Sequence, residues 1–242
     1  MKISPFMKKV KVFFPRGVLC LCFSLFFRSH AANADSSSQS YRFKDPYLWS
    51  REFDSASRDK WQKPQAVLHA LHLKPGEKIV DIGAGTGYFA VKFARAVGPE
   101  GEVIALDREP AMVAYLRKRA QKEGLNNLKV RHVPTNDPKL KKQSADLIFF
   151  CNSYHHIHNP GYLKKLANAL KENGRICVID IKVGSPRLFP STAKFKKHLK
   201  LSAQSVVEDF TKAGFYLDKE FFFLPYQYFL EFKPIPIPSR QL

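Results

Sequence analysis

The stretch VDIGAGTGYFA at residues 80–90 decides the fold, because it joins a buried apolar run to the start of a predicted helix. Gly83, Gly85 and Gly87 allow the backbone to turn sharply and let a ligand approach main-chain atoms closely. In the dinucleotide-binding fingerprint Gly-x-Gly-x-x-Gly, the third small residue permits close packing of the helix, but that place is held here by Tyr88. The stretch therefore indicates a cofactor loop of another kind.

Strand and helix patterns alternate around this loop. Predicted strands cover residues 78–82, 102–107, 128–133, 146–151 and 175–181, and predicted helices cover residues 64–73, 86–97, 110–124, 161–170 and 202–214. Such repeated units indicate a parallel sheet covered by helices. Residues 215–224 and 226–232 are two further strand-like runs, and their short connection permits only an antiparallel pair. An α/β fold closed by a C-terminal hairpin follows.

The pattern Asp-x-Gly-x-Gly-x-Gly from Asp81 resembles the first motif of class I S-adenosylmethionine-dependent methyltransferases, and the resemblance extends over most of residues 58–232. It implies a Rossmann-like, mostly parallel seven-stranded sheet with helices on both faces, S-adenosylmethionine as cofactor, and methyl transfer as activity. In that family the glycine loop, here Gly83, Ala84, Gly85, Gly87 and Tyr88, lies against the methionine part of the cofactor. Asp81 would correspond to the carboxylate near the cofactor's amino group.

Two later strand ends carry candidate cofactor contacts. Asp107 ends the second strand about 20 residues beyond the glycine loop, where an acid can hold both hydroxyls of a ribose; capping the next helix is its ordinary alternative role. Asn136 and Asp137 follow the third strand, where the family places a polar residue against the adenine amino group. Turn chemistry alone also explains these two residues.

The fourth strand leads into CNSYHHI at residues 151–157, which resembles the post-strand motif of a bacterial methyltransferase subgroup that often carries Asp where this chain has Asn152. The resemblance makes Asn152 a candidate cofactor contact. Tyr154, His155 and His156 are the candidate catalytic residues, because ligands bind at the carboxyl ends of parallel strands. A histidine there can serve as a general base near neutral pH or order the substrate. A loop cap and a core position are the structural alternatives, and two adjacent histidines without further ligands give no metal site.

Residues 35–63 form a predicted linker and aromatic lid that precede a methyltransferase domain at residues 64–242. The aromatic part, residues 41–63, lacks clear periodicity. RDKWQKP at residues 58–64 resembles the stretch before the first motif in the same subgroup. The resemblance implies that Arg58 meets the cofactor carboxylate and that Gln62 closes over the cofactor.

Residues 1–34 have the order of an export signal: basic residues, an eleven-residue apolar run, and the small residues Ala32 and Ala34 at a predicted cleavage site. The run is too short to cross a bilayer, which takes about 20 residues, so no membrane span is expected once the signal is removed. This predicts an exported protein, periplasmic or secreted. If the leader is not used, the protein is cytoplasmic or membrane-tethered.

The net charge of the 242-residue chain is +19, and it stays at +13 without the leader, whose six Lys and Arg face no acidic residue. The positive charges are spread along the chain, so a small-molecule acceptor is preferred to RNA as the partner. The sequence carries no signal for an oligomeric state. Cys151 and Cys177 are predicted to be buried free thiols, and a bridge is open to them only if their strands are adjacent.

Two other functions remain alternatives. A nucleotide-dependent oxidoreductase would use a similar sheet, but Tyr88 and the C-terminal hairpin argue against it. An exported, non-catalytic binding protein on a methyltransferase fold is the second, because S-adenosylmethionine is made in the cytosol. The intact glycine loop and Asp107 weigh against lost catalysis.

Overall fold

The computed structural model of the chain describes residues 45–186, 188 and 201–236. The predicted leader at residues 1–34 lies outside the described residues, as does the beginning of the predicted linker. No helix among the described residues is both long enough and apolar enough to cross a membrane.

Seven helices and seven strands make up the described part of the chain. The helices are α1 (Pro46–Phe53), α2 (Ala56–Gln62), α3 (Pro64–Leu71), α4 (Ala90–Val97), α5 (Pro110–Lys122), α6 (Pro160–Ala169) and α7 (Ala203–Lys212). The strands are β1 (Lys78–Ile82), β2 (Glu102–Asp107), β3 (Leu128–His132), β4 (Ala145–Cys151), β5 (Leu170–Ile181), β6 (Phe215–Phe221) and β7 (Gln227–Pro234). A short 3₁₀ turn, Tyr154–His156, follows β4.

All seven strands form one sheet in the order β3-β2-β1-β4-β5-β7-β6. The pairs from β3 to β5 are parallel, whereas β7 is antiparallel to both β5 and β6. This confirms the predicted mostly parallel sheet with a C-terminal antiparallel hairpin. The chain reverses its direction of winding between β1 and β4, so the loops after these strands diverge and leave a crevice.

Each face of the sheet carries its own hydrophobic core. One core joins alternate strand residues such as Ile79 and Phe149 to α3, α4 and α5. The other joins their neighbours, among them Val80 and Phe150, to α6 and α7. Because successive side chains of a strand point to opposite faces, a strand covered on both faces must be apolar throughout, as β4 is.

The described part of the segment before α3 is mostly helical, although residues 41–63 lack the periodicity that would predict helices. The side chain of Asp45 caps α1, in which Pro46 occupies the first turn, and the side chain of Ser55 caps α2. Both helices are too short for hydrophobic periodicity to reveal them, so their caps are the stronger sequence signal. Trp49 of α1 is buried against α5, where it contacts Met112.

Most predicted boundaries differ from the structure by a few residues, and two starting positions differ by four or more. The first helix after the glycine loop begins at Ala90 rather than at residue 86, because Gly87 has a φ of +91°, outside the helical region. Strand β5 begins at Leu170 rather than at residue 175, and its pairing with β4 shifts register between Ala145 and Leu147.

Candidate functional site

A cavity of about 500 Å³ opens where the parallel strands end. Its wall combines residues at or after the ends of β1 to β5 with residues of α1, α2, α5 and α6. The volume lies within the range of about 300–1,000 Å³ that is typical of small-molecule sites. The position, outside the carboxyl ends of the strands and over the β1/β4 crevice, is the one at which open α/β sheets bind ligands.

The glycine loop forms the floor of this cavity. Gly83, Ala84, Gly85 and Tyr88 line it. A Cβ atom added to Gly85 would meet only the ring of Phe53, at 3.8 Å, so the backbone at Gly85 is open to a ligand. Main-chain atoms are therefore available for contact, as the loop pattern predicts.

Gly87 has a different role from the one predicted. It does not line the cavity, and a Cβ atom on it would collide with Cδ1 of Leu116 on α5. Its φ of +91° is in the region that favours glycine. Gly87 therefore lets the loop pack against α5, and the expectation that it contacts the cofactor is corrected.

Asp107 lies at the end of β2 with its carboxylate fixed by two backbone donors. Oδ2 accepts a hydrogen bond from the Gly85 amide at 2.8 Å, and Oδ1 accepts one from the Glu109 amide at 2.9 Å. Burial raises the pKa of Asp107, and these two hydrogen bonds act against that rise. The remaining lone pairs of the carboxylate are at the cavity wall, where a diol can donate to them.

Asp81 presents a second buried carboxylate to the cavity. Burial raises its pKa to about 7, the neighbouring negative charge of Asp107 adds to the rise, and the positive charge of Arg58 opposes it. The Ala90 amide at the start of α4 donates a hydrogen bond to Asp81. A positive charge bound next to this carboxylate would favour its ionised form and bind to it strongly.

Arg58 of α2 is buried over the face of Tyr88, with its guanidinium carbon 3.8 Å from the ring centroid. Nη1 donates to the carbonyl of Phe53 at 2.9 Å. The Tyr88 hydroxyl in turn donates to Asp59, and Lys92 lies over the same ring at 4.2 Å. Arg58 and Tyr88 both line the cavity, so α2 supplies a positive charge to it.

A chain of side-chain amides begins at Arg58. Its Nη2 donates to Oε1 of Gln62 at 3.2 Å, Nε2 of Gln62 donates to Oε1 of Gln227 at 2.8 Å, and Nε2 of Gln227 donates to Oδ1 of Asn152 at 2.8 Å. Gln62 is fully buried within this chain and does not line the cavity, which corrects the expectation that it closes over a cofactor. Asn152 does line the cavity.

His155 is paired with an acid that the sequence analysis missed. Its Nδ1 lies 2.8 Å and 3.0 Å from the two carboxylate oxygens of Asp180, the penultimate residue of β5. Both side chains are buried, and His155 lines the cavity. His156 also lines the cavity, and its ring centroid lies 4.1 Å from that of His155.

Tyr154 belongs to the core rather than to the cavity, which corrects its predicted catalytic role. It is fully buried in the hydrophobic core between the sheet and helices α6 and α7, with its ring centroid 5.3 Å from that of Phe210. Its hydroxyl donates to Asp209 at 3.1 Å. The 3₁₀ turn directs consecutive side chains to different sides, so Tyr154 points away from the cavity that His155 and His156 line.

The loop after β3 contributes different residues from those predicted. Asn136 and Asp137 do not line the cavity; Asp137 accepts from the Lys139 amide and lies 3.5 Å from Lys165. The turn chemistry considered as the alternative describes these contacts. Val133, Pro134 and Thr135 line the cavity in their place.

Gln227 and Thr86 are further polar residues of the site that the sequence analysis did not select. Gln227 begins β7 and is buried, and an amide at the start of a strand gives little local signal. Thr86 lines the cavity within the glycine loop, and its buried Oγ1 has no hydrogen-bond partner among the described residues. Such an orphan hydroxyl is a candidate ligand contact.

The two cysteines of the sheet are free thiols. Cys177 is buried, and Cys151 is half-buried at the cavity wall, where burial raises its pKa to about 12. Strands β4 and β5 are adjacent, but Cys151 lies opposite Ile179, and Cys177 lies opposite Phe149. Within the described ranges, no group of three or more His, Cys, Asp or Glu residues could hold a metal ion.

The donors and acceptors of the cavity fit S-adenosylmethionine. Asp107 suits a ribose, Asp81 suits an ammonium group, and Arg58 suits a carboxylate. The unpartnered polar atoms Oγ1 of Thr86 and Nδ2 of Asn152 belong to cavity-lining residues and offer additional contacts. The site combines opposite buried charges, as recognition of a zwitterionic ligand requires.

Comparison with known proteins agrees with this fit. A family model described as a methyltransferase domain matches residues 73–219. The chain resembles the crystal structure of a SAM-dependent methyltransferase from Aquifex aeolicus, with 25% sequence identity and a TM-score of 0.70, covering 78% of this chain and 97% of that one.

Curated relatives match over shorter regions. Aklanonic acid methyltransferase DauC from Streptomyces sp. strain C5 is 35% identical over 104 residues, which is 42% of this chain and 46% of that protein. Protein-L-isoaspartate O-methyltransferase from Ignicoccus hospitalis is 38% identical over 64 residues, which is 26% of this chain and 30% of that protein. The chain thus spans less than half the length of either relative, whereas the family model covers more than half of the chain. The protein therefore belongs to the family of class I S-adenosylmethionine-dependent methyltransferase domains.

Proposed function

We propose that the protein transfers a methyl group from S-adenosylmethionine to a small-molecule acceptor. One observation carries this proposal: a single cavity holds both the carboxylates that suit the cofactor and a histidine paired with a buried acid. When bound, the cofactor supplies a methyl group that its sulfonium activates toward nucleophiles. The rest of the reaction depends on the side chains that position the acceptor and remove its proton.

His155 is the proton acceptor in this proposal. The carboxylate of Asp180 lies against Nδ1, so the hydrogen of the neutral ring belongs on Nδ1 and the lone pair on Nε2. A ring held in this tautomer takes a proton at Nε2 without turning, and the carboxylate stabilises the imidazolium that forms. The acceptor is therefore a compound that loses a proton on methylation, such as a hydroxyl compound.

The cavity wall near His155 favours a small acceptor over a macromolecule. Ile157, Tyr162 and Ile181 add apolar surface there, and mostly apolar walls with few polar groups are typical of small-molecule sites. Of the two curated relatives, one is named for a small molecule, aklanonic acid, and the other for a residue within proteins. The mostly apolar cavity supports the first kind of acceptor.

Calorimetric titration of S-adenosylhomocysteine into the purified full-length chain tests the cofactor half of the proposal. We expect tight binding that is lost in Asp107→Ala, because this carboxylate is the ribose acceptor. Asp137→Ala is the matched control, since Asp137 lies outside the cavity, and it should bind as the parent does. An unchanged affinity in Asp107→Ala would refute the ribose contact, and no binding by the parent would favour a non-catalytic protein on this fold.

The acceptor half is tested by incubating the protein with methyl-labelled cofactor and fractionated small-molecule extracts. We expect label to enter an apolar compound with an ionisable hydrogen, and His155→Gln to abolish that transfer while cofactor binding persists. Transfer that survives in His155→Gln would remove His155 from the mechanism.

We also propose that the protein is exported, on the strength of its predicted leader alone. Determining the amino-terminal residue of the protein from its native source tests this. A start at Asp35, immediately after Ala34, is the expected result, and retention of residues 1–34 would contradict it.

A further inference from the structure

Asn152 ends the amide chain that starts at Arg58, and the chain has only one self-consistent direction. A guanidinium has five N–H donors and no acceptor, so the oxygen of Gln62 must face Arg58. The Gln62 amide nitrogen then faces the oxygen of Gln227, and the Gln227 nitrogen faces the oxygen of Asn152. The arginine therefore determines which atom of the Asn152 amide is left without a partner in this chain of hydrogen bonds: it is the nitrogen, Nδ2.

This Nδ2 atom is buried and has no hydrogen-bond partner among the described residues. An unmade bond at a buried donor costs about 1–3 kcal/mol, which a ligand oxygen would recover. The backbone of Asn152 has a φ of +55°, a conformation that asparagine tolerates better than most residues. The position therefore suits asparagine, and the amide direction is fixed by residues on α2 and β7.

The charges around Asn152 indicate which oxygen it binds. Cys151, the preceding residue, lies with its sulfur 3.5 Å from Nη2 of Arg58, and the Asn152 amide is linked to the same arginine through Gln227 and Gln62. Asp81, the cation-binding carboxylate, interacts electrostatically with the same arginine. A ligand that brings an ammonium group to Asp81 and a carboxylate toward Arg58 is an α-amino acid, which is the methionine part of the cofactor.

We propose that Asn152 donates a hydrogen bond from Nδ2 to the carboxylate of the bound cofactor, and that Gln62 and Gln227 are positioning residues that fix its amide direction. The inference rests on the proposed use of S-adenosylmethionine. A carboxylate at position 152 would place a negative charge beside the cofactor carboxylate, which an amide avoids.

Two ligands separate this contact from the rest of the site. S-adenosylhomocysteine carries the amino-acid part, and 5′-methylthioadenosine lacks it while keeping the adenosine. Asn152→Asp keeps the oxygen that accepts from Gln227 but replaces the donor by an anion, and Asn152→Gly removes the side chain at a positive φ that glycine tolerates. Both variants should lose about 10- to 100-fold in affinity for S-adenosylhomocysteine, the range for a hydrogen bond to a charged group. Their affinity for 5′-methylthioadenosine should stay within about twofold of the parent value, which also shows that they are folded.

Gln62→Glu tests the direction of the chain at a residue that lies outside the cavity, although it contacts Arg58 in the cavity wall. The introduced carboxylate has only acceptors, so Gln227 must turn its nitrogen toward that carboxylate and its oxygen toward Asn152. Asn152 then turns its own nitrogen toward Gln227 and its oxygen toward the cofactor. We expect the affinity for S-adenosylhomocysteine to fall selectively, and Gln62→Glu combined with Asn152→Gly to lose no more than Asn152→Gly alone, because Gln62 acts through Asn152.

Each alternative outcome has a distinct meaning. Parent-like affinity for S-adenosylhomocysteine in both Asn152 variants, or a parallel loss for the two ligands, overturns this inference and leaves the proposed function intact. Additive losses in the double variant overturn the positioning role of Gln62. A parent protein that binds neither ligand overturns the proposed function, and this inference with it.

Discussion

Nδ1 of His155 lies 2.8 Å from Oδ2 of Asp180, and the acid also accepts a hydrogen bond from the Ile181 amide at 2.8 Å. The Ile181 amide thus fixes the position of the Asp180 carboxylate, and the carboxylate in turn fixes the His155 ring. This arrangement joins the 3₁₀ turn after β4 to the end of the neighbouring strand β5 at the cavity wall.

Asp180→Asn should shift the proton of His155 from Nδ1 toward Nε2, because the asparagine amide can donate to Nδ1. Nitrogen-detected NMR of the imidazole rings at mildly alkaline pH measures the tautomer directly. Once the acceptor is known, methyl transfer should fall by about 10²–10⁴-fold, the usual contribution of a positioned general base. Asp209→Asn is the matched control. Asp209 of α7 lies 2.6 Å from Nδ1 of His158, a histidine that follows the same 3₁₀ turn, and its replacement should leave the His155 resonances unchanged. An unaltered His155 tautomer in Asp180→Asn would mean that Asp180 does not control it.

Cofactor affinity should fall on acidification below pH 7. Burial raises the pKa of Asp81 to about 7, so below that pH the carboxylate is protonated and no longer attracts an ammonium group. The affinity for S-adenosylhomocysteine should drop by about tenfold per pH unit. The affinity for 5′-methylthioadenosine, which brings no ammonium group, should be much flatter, and the difference between the two ligands isolates Asp81 from Asp107. Parallel pH profiles for the two ligands would contradict the assignment.

Asp81→Asn should stabilise the ligand-free protein above pH 7. The pKa of Asp81 is higher in the folded state than its ordinary value of 3.8, so the folded state binds the proton more tightly than the unfolded chain does. Stability from this group is present at low pH and is lost as the pH rises from about 4 to 7. Denaturant unfolding should show a gain of at most about 4 kcal/mol that shrinks toward pH 4. Asp218→Asn should behave oppositely, because Lys233 lowers the pKa of Asp218.

Gly87→Ala should destabilise the fold more than Gly124→Ala. Both glycines have positive φ values, +91° and +66°, so alanine is strained at either position by about 1–2 kcal/mol. A Cβ atom on Gly87 would also collide with Leu116, whereas no atom of the described residues lies within 4 Å of one on Gly124. The expected difference is about 1–3 kcal/mol, measured by denaturant unfolding. Equal losses would show that the loop near Gly87 relaxes without cost.

The fold could be predicted from sequence because its signals are local. The run at residues 147–150 is apolar on both faces, and the glycine loop joins one strand to one helix, so each pattern indicates its own element. The hairpin follows from a short connection. The helices α1 and α2 were not predicted, because each has only about two turns, too few to show hydrophobic periodicity.

Candidate residues within one structural unit could be placed at the cavity from the sequence, whereas pairings between units could not. Asp81, Gly85 and Asp107 occupy fixed offsets within one strand-loop-helix-strand unit, and all three line the cavity. Asp180 and Gln227 come from other units and meet His155 and Gln62 only when the sheet is complete. A single sequence contains no record of such pairings.

Residue type alone also did not predict whether each motif residue faces the cavity or packs in the core. Gly87 and Gly85 belong to one motif, yet the first packs against a helix and the second faces the cavity. Tyr154 and His155 are adjacent, yet the turn sends the first into the core. These differences depend on side-chain direction, which spacing within the motif does not specify.

The hydrogen bond between Gln62 and Gln227 joins residues 165 positions apart in the chain. During synthesis the glycine loop and its flanking strands emerge from the ribosome long before β7 does. The hydrogen bond from Gly85 to Asp107 needs only these early elements, whereas the amide chain stays open until the final hairpin inserts beside β5. The amide chain beside the cavity is therefore complete only after β7 has joined the sheet.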